Sequence, residues 1–208
     1  MSIKILKSIN NLLLVLLLLI LIFAIVVYLG ILPKNFLFFH MEFFGRFYER
    51  ALSYLLFGIP LIYFSRRYIK IKKNAELIIL LVFLNFLLDG LGNLFGWYSI
   101  GNQYSSVWYD KSVHLTGGII YTSVFYMILI NYFSSQNNFL ILLTAFGLSF
   151  ALGTLFGVGE YLSDKYFKTY MVGGLEDSIG DNIFDFLGSI TGSAILYLTL
   201  FSSQHHKT

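Results

Sequence analysis

Acidic residues in the second half of the chain recur at the spacing of helical turns, and one histidine shares that spacing. Asp177, Asp181 and Asp185 are four residues apart, as are Asp110 and His114. Residues three or four apart lie on one face of a helix, so each set should present its side chains in one direction. An imidazole with several carboxylates suits Mg, Mn or Zn, whereas ionisable groups inside a membrane helix also serve ion or proton pathways. Both kinds of chemistry fit these residues.

Helices that carry such polar stripes are expected to turn them toward one cavity, with His114 and Asp181 near its centre. The predicted metal ligands are His114, Glu160, Asp177, Asp181 and Asp185. The predicted catalytic residues are Asp110, His114, Glu160 and Asp181. The residues predicted to complete the lining are Asn85, Asp89 and Tyr121.

Most of these side chains also have a structural interpretation. Asp110 or Asp177 taken alone is better explained as a helix cap. Asp181 and Asp185 lie one and two turns further along, where capping fails, so we favour function for them. His114 is balanced between a hydrogen bond to a neighbouring helix and a role in the site.

Three further residues also have to be divided between a functional and a structural interpretation. Glu160 is either a charge at the membrane boundary or a ligand, and we favour the ligand. Asn182 and Ser189 are candidate hydrogen-bond partners that would satisfy Asp181 and Asp185 without any chemistry.

The elements that hold these residues follow from composition. Of 208 residues, 57% are hydrophobic and only 12% are charged, a surplus of apolar surface that a soluble domain of this size would not cover. The solvent of the chain is therefore lipid. The absence of Cys excludes disulfides, thiolate metal sites and cysteine nucleophiles. The net charge of +3 is small and dispersed, so no nucleic acid partner is expected.

Apolar runs of about 20 residues predict membrane-spanning helices. The chain contains six such runs, so we predict an all-α bundle of about six transmembrane helices in a single domain, residues 1–208. Glycines continue several polar stripes and should mark the faces where helices pack closely. The predicted spans are residues 12–32, 48–65, 76–97, 112–133, 139–161 and 178–201.

The orientation follows from one basic loop. Five of the Lys and Arg residues crowd positions 66–73, and short basic loops remain in the cytoplasm. Both termini are then cytoplasmic, in a multi-pass protein of the inner (cytoplasmic) membrane. In this topology Glu76 is the only one of the 11 acidic residues on the cytoplasmic side, so the predicted site faces outward.

Three stretches resemble a known family. They are WYDKSVHLTGG from Trp108, GVGEYLSDKYF from Gly157 and EDSIGDNIFDFLGSITG from Glu176. In this order they resemble the YjdF-like family of predicted inner-membrane proteins, over roughly half the chain. The resemblance implies a membrane fold and a site, but it implies no reaction. Its motif residues fall on Asp110, His114, Glu160, Asp177, Asp181 and Gly188.

The resemblance is looser in some places. We expect Asp185 to vary in the family, and residues 162–164, Leu-Ser-Asp, stand where a second acid and a Trp are expected. A shorter stretch, Asp-Lys-x-x-His from Asp110 to His114, resembles VanZ-like membrane proteins.

Two functional hypotheses from different classes follow. The first is a metal-dependent hydrolase or transferase that acts on a lipid-like substrate, with membrane lipid as its partner and a divalent ion (Mg, Mn or Zn) as its cofactor. The second is a cation- or proton-coupled transporter. A missing internal repeat and a cytoplasmic half poor in acids weaken the transporter, so the enzyme is favoured. A non-catalytic membrane scaffold is the third interpretation.

Overall fold

Helices contain most of the residues that the computed structural model describes, which are 1–33, 47–95, 97–98, 105–133, 137–167 and 174–205. No strand occurs in that part of the chain, and the predicted all-α fold is confirmed. The six helices are α1 Ile3–Tyr28, α2 Phe47–Tyr68, α3 Lys72–Leu94, α4 Ser105–Tyr132, α5 Asn138–Phe167 and α6 Leu175–His205.

Each predicted span falls on one helix, but most helices begin before the apolar run does. The largest difference is at α1, which was predicted from residue 12 and begins at Ile3. Ser2 caps this helix, because its side chain accepts a hydrogen bond from the Ile5 amide at 3.3 Å. Polar residues in the first turns of a helix hide its start when apolar residues alone are counted.

Within the described part of the chain, four helices are long and apolar enough to cross a membrane. They are Ile3–Tyr28, Lys72–Leu94, Trp108–Tyr132 and Asn138–Tyr166. The predicted crossings by α2 and α6 stay predictions. The chain divides by its internal packing into two compact units, Met1–Asp110 and Lys111–Thr208, so the single domain also stays a prediction.

The first unit is built around the apolar face of α1. Leu13, Leu17, Ile20 and Ala24 are buried and recur every three or four residues. They pack with buried residues of the next two helices, among them Phe83 on α3. In lipid, such close packing is a main attraction between helices.

In the second unit, glycines bring α4 and α6 together. A Cβ added at Gly118 would lie 2.7 Å from the Ser189 amide nitrogen, and one added at Gly192 would lie 3.0 Å from the Ile119 Cα. Both distances are shorter than ordinary contacts, so only glycine fits this close approach. The predicted role of the glycine stripe on α6 holds at Gly192. The same prediction is wrong at Gly157 on α5, where an added Cβ would meet no atom within 4 Å.

Candidate functional site

The second unit contains a cavity of about 270 Å³ between α4, α5 and α6. Four of the predicted site residues line it, which are His114, Glu160, Asp181 and Asp185. The other polar side chains of the lining are Thr154, Ser178, Asn182 and Tyr161. The volume suits an ion together with a small polar group better than a large ligand. We refer to it as the α4–α6 cavity.

His114 lies between two carboxylates of α6. Its Nδ1 is 3.1 Å from Asp185 Oδ1, and its Nε2 is 3.3 Å from Asp181 Oδ1. The two aspartates are one turn apart, so they face the two ring nitrogens of a single imidazole. The close approach of α4 and α6 at Gly118 brings these side chains within contact distance.

A neutral imidazole with both carboxylates ionised does not satisfy both of these contacts. A neutral imidazole carries one N–H and one lone pair, so it donates to only one of its two carboxylate neighbours. The other nitrogen then presents its lone pair to a carboxylate oxygen, which is repulsive. A proton added to the ring or to that carboxylate, or a cation placed between them, removes the repulsion.

Lys111 is the main residue of the site that the sequence analysis missed. It is 5% exposed, and its Nζ lies 2.6 Å from Asp177 Oδ1 and 2.5 Å from Asp181 Oδ1. A Cβ added at Gly180 would lie 2.9 Å from the Lys111 Cε, so glycine leaves room for the lysine side chain. The sequence contains a signal that could have identified Lys111. This lysine precedes His114 by one turn, and a lysine inside a membrane helix needs an acidic partner.

Asp177 therefore faces a lysine of the same unit. It lies in the first turn of α6, where the helix dipole also stabilises a carboxylate. The capping interpretation and the Lys111 ion pair both account for this residue without a metal. Its predicted role as a metal ligand stays a prediction.

The hydroxyl and amide groups around the acids form bonds of their own. Ser189 donates to Ser149 Oγ at 3.0 Å, and Ser149 donates to the Gly118 carbonyl at 3.1 Å. The Asn182 side chain donates to the Ser178 carbonyl at 2.8 Å and accepts from Thr154 at 3.1 Å. These bonds join the helices of the unit and fix the wall of the cavity.

Three predicted site residues lie in the first unit. Asp110 is its last residue and lies on α4 one turn before His114. Asn85 and Asp89 lie on α3, and Asp89 is 8% exposed. Tyr54 donates to Asp89 Oδ2. Tyr98 donates to Asp89 Oδ1 at 2.8 Å, and Asn93 donates to the same oxygen at 3.5 Å.

Asp89 is thus held by hydrogen bonds within its own unit. The predicted convergence of Asn85, Asp89 and Asp110 with the α4–α6 cavity stays a prediction. Tyr121 is half-buried on α4, two turns after His114. Its predicted place in the lining also stays a prediction.

Residues 14–201 match the family described as "Predicted membrane protein (DUF2238)". The chain is also similar to an "Uncharacterized protein" of Thermotoga maritima, with 33% identity over 103 residues. That alignment covers 46% of this chain and 52% of the other protein, so the chain spans about half the length of the curated relative it matches. No solved structure matches the chain.

Proposed function

We propose that the α4–α6 cavity is the metal site of a membrane enzyme. The chain belongs to this family of predicted membrane proteins, as its resemblance to the YjdF-like family predicted. The enzyme is a divalent-metal-dependent hydrolase or transferase, and its substrate is a lipid-like molecule. The similarity to VanZ-like proteins is not needed for this proposal and stays a prediction.

The position of His114 between Asp181 and Asp185 carries the proposal. A histidine that binds a metal through one ring nitrogen usually donates its other N–H to a carboxylate, which fixes the ring. Asp185, 3.1 Å from Nδ1, is suited to that orienting role. Nε2 and Asp181 Oδ1, 3.3 Å apart, are then two ligand atoms for one ion.

The charges of the lining favour a cation as well. Three carboxylates line the cavity, from Glu160, Asp181 and Asp185. Lys111, whose Nζ lies 2.5 Å from Asp181 Oδ1, supplies a positive charge beside them. Carboxylates clustered in a low-dielectric environment are costly, and a divalent ion would offset part of their charge.

The chemistry assigned to each group follows from its position. A divalent ion held at His114 and Asp181 would act as a Lewis acid and activate water. Glu160 on α5 lines the same cavity and is our proposed general base. The small volume admits the reacting group of a substrate, while its acyl chains would remain in lipid.

We place the cavity toward the outer headgroups of the cytoplasmic membrane, with both termini in the cytoplasm. The basic residues between α2 and α3 support this orientation, because short positive loops stay on the cytoplasmic side. Phospholipids and other phosphorylated amphiphiles would then reach the site from the bilayer.

A second function, proton-coupled transport, is favoured by one observation. Lys111 already compensates Asp177 and Asp181 at 2.6 and 2.5 Å. A proton on His114 would then satisfy both of its contacts without any metal. The same side chains would serve as a proton relay.

Metal binding to the purified protein distinguishes the two functions. Thermal melting is recorded with and without Mg, Mn or Zn for the natural chain, Asp181→Asn and a matched control, Glu176→Gln. Glu176 lies on the same helix but is exposed. A bound ion at 100 times its Kd stabilises the fold by about 2.7 kcal/mol.

We expect this stabilisation in the natural chain and in Glu176→Gln, and we expect its loss in Asp181→Asn. Hydrolysis or transfer on phosphorylated lipids should be lost in parallel. If the melting temperature is the same with every metal tested but changes with pH, the proton-coupled transporter replaces the enzyme as the proposed function.

A further inference from the structure

A second cavity, of about 510 Å³, lies in the first unit along α1 and α2. Its walls are mainly apolar, and its two cationic residues are adjacent in the last turn of α2. The lining residues are Leu14, Ile59, Ile62, Tyr63, Arg66 and Arg67. We refer to it as the α1–α2 groove.

The two arginines differ in their partners. Arg66 forms two hydrogen bonds to the carboxylate of Glu76, from Nε at 2.9 Å and from a terminal nitrogen at 3.1 Å. Glu76 is 2% exposed and also accepts from the Asn10 side chain at 2.9 Å, so this contact ties all three helices. Arg67 is exposed, and within the described residues it has no hydrogen bond or ion pair.

The surroundings of Arg67 are positive. Lys70, Lys72 and Lys73 follow it and are exposed. The Lys72 ammonium is 2.9 Å from the Arg66 carbonyl oxygen, which keeps that charge near the groove. Basic clusters beside a membrane helix attract anionic lipids.

From the groove and its cationic end we infer that the first unit binds one anionic phospholipid. An acyl chain would lie against Leu14, Ile59 and Ile62, while the phosphodiester would accept hydrogen bonds from Arg67. A guanidinium matches phosphate oxygens with two parallel donors. An apolar wall that ends in an arginine without a partner among the described residues fits a lipid, whereas a free phosphate would leave the wall unused.

Native mass spectrometry from mixed phosphatidylglycerol and phosphatidylcholine micelles tests this inference. The natural chain should retain phosphatidylglycerol in preference to phosphatidylcholine. Arg67→Gln should weaken that retention about 10-fold or more, because it removes a charge-assisted pair of donors. The matched control is Lys73→Gln, which removes one positive charge from the same loop without altering the groove.

Lys73→Gln should weaken retention by about 5-fold or less, as expected for one surface charge. Ile62→Trp fills the apolar wall and should also reduce retention while every charge is kept. If Arg67→Gln and Lys73→Gln weaken phosphatidylglycerol retention equally, or if Ile62→Trp retains this lipid fully, the inferred lipid site is wrong. The proposed metal site lies in the second unit, so the result of this lipid-binding experiment does not depend on it.

Discussion

Replacement of Lys111 by Met tests whether a buried ammonium holds α4 to α6. The substitution keeps the length of the apolar stem and removes one charge. Asp181, whose side chain is 15% exposed, then loses its closest cationic neighbour, at 2.5 Å. Asp177 loses its partner at 2.6 Å as well, but its side chain is 31% exposed and therefore better solvated.

The exposed fractions of the two carboxylates determine how much stability the Lys111→Met variant should lose. Removal of one partner from a buried ion pair costs about 3–5 kcal/mol, because the remaining charge is left uncompensated. Solvent screening weakens the more exposed Lys111–Asp177 pair. We therefore expect a loss at the lower end of this range, about 3 kcal/mol. That is a change of about 100-fold in the unfolding equilibrium.

Unfolding of the purified protein in mixed micelles, followed by circular dichroism, measures this loss. The control is Lys165→Met on α5, an exposed lysine, which should cost about 0.5 kcal/mol or less. The double variant Lys111→Met/Asp181→Asn should recover part of the loss, because the orphaned charge is then also removed. Equal stabilities of Lys111→Met and Lys165→Met would refute the reasoning.

Two further predictions concern helix packing and topology. Gly188→Ala should destabilise the protein by about 1–3 kcal/mol, because the added methyl meets the Leu115 carbonyl. Gly157→Ala, in open space, should melt like the natural chain, and equal melting of the two variants would contradict the packing. An impermeant thiol reagent applied to cells from outside should label Glu176→Cys and spare Lys70→Cys, and the reverse labelling would place the α4–α6 cavity on the cytoplasmic side.

The helices could be predicted because lipid imposes a length on every apolar segment. The ends of the helices could not be predicted from apolar runs, because the capping residue and the first turn are often polar or charged. Ser2 at the start of α1 shows this. The boundary between the two compact units leaves no mark in the composition, because residues 110 and 111 are adjacent within α4.

The contact between His114 and Asp181 was predictable for a simple reason. Helical spacing fixed which face of α6 carries Asp181 and Asp185, and the glycines of that face indicated the packed side. Spacing along one helix does not tell which groups on another helix pair with it. Lys111 therefore escaped the analysis, although it contacts Asp181 more closely than His114 does.

Buried charge alone does not distinguish a reactive site from a structural one, and the two units show why. Glu76 is 2% exposed, and its carboxylate is engaged by Arg66 and Asn10. The side chains of His114 and Asp181 are 14% and 15% exposed and border the α4–α6 cavity. A substrate or ion must reach the groups that act on it, so we propose chemistry for the second site and helix attachment for the first.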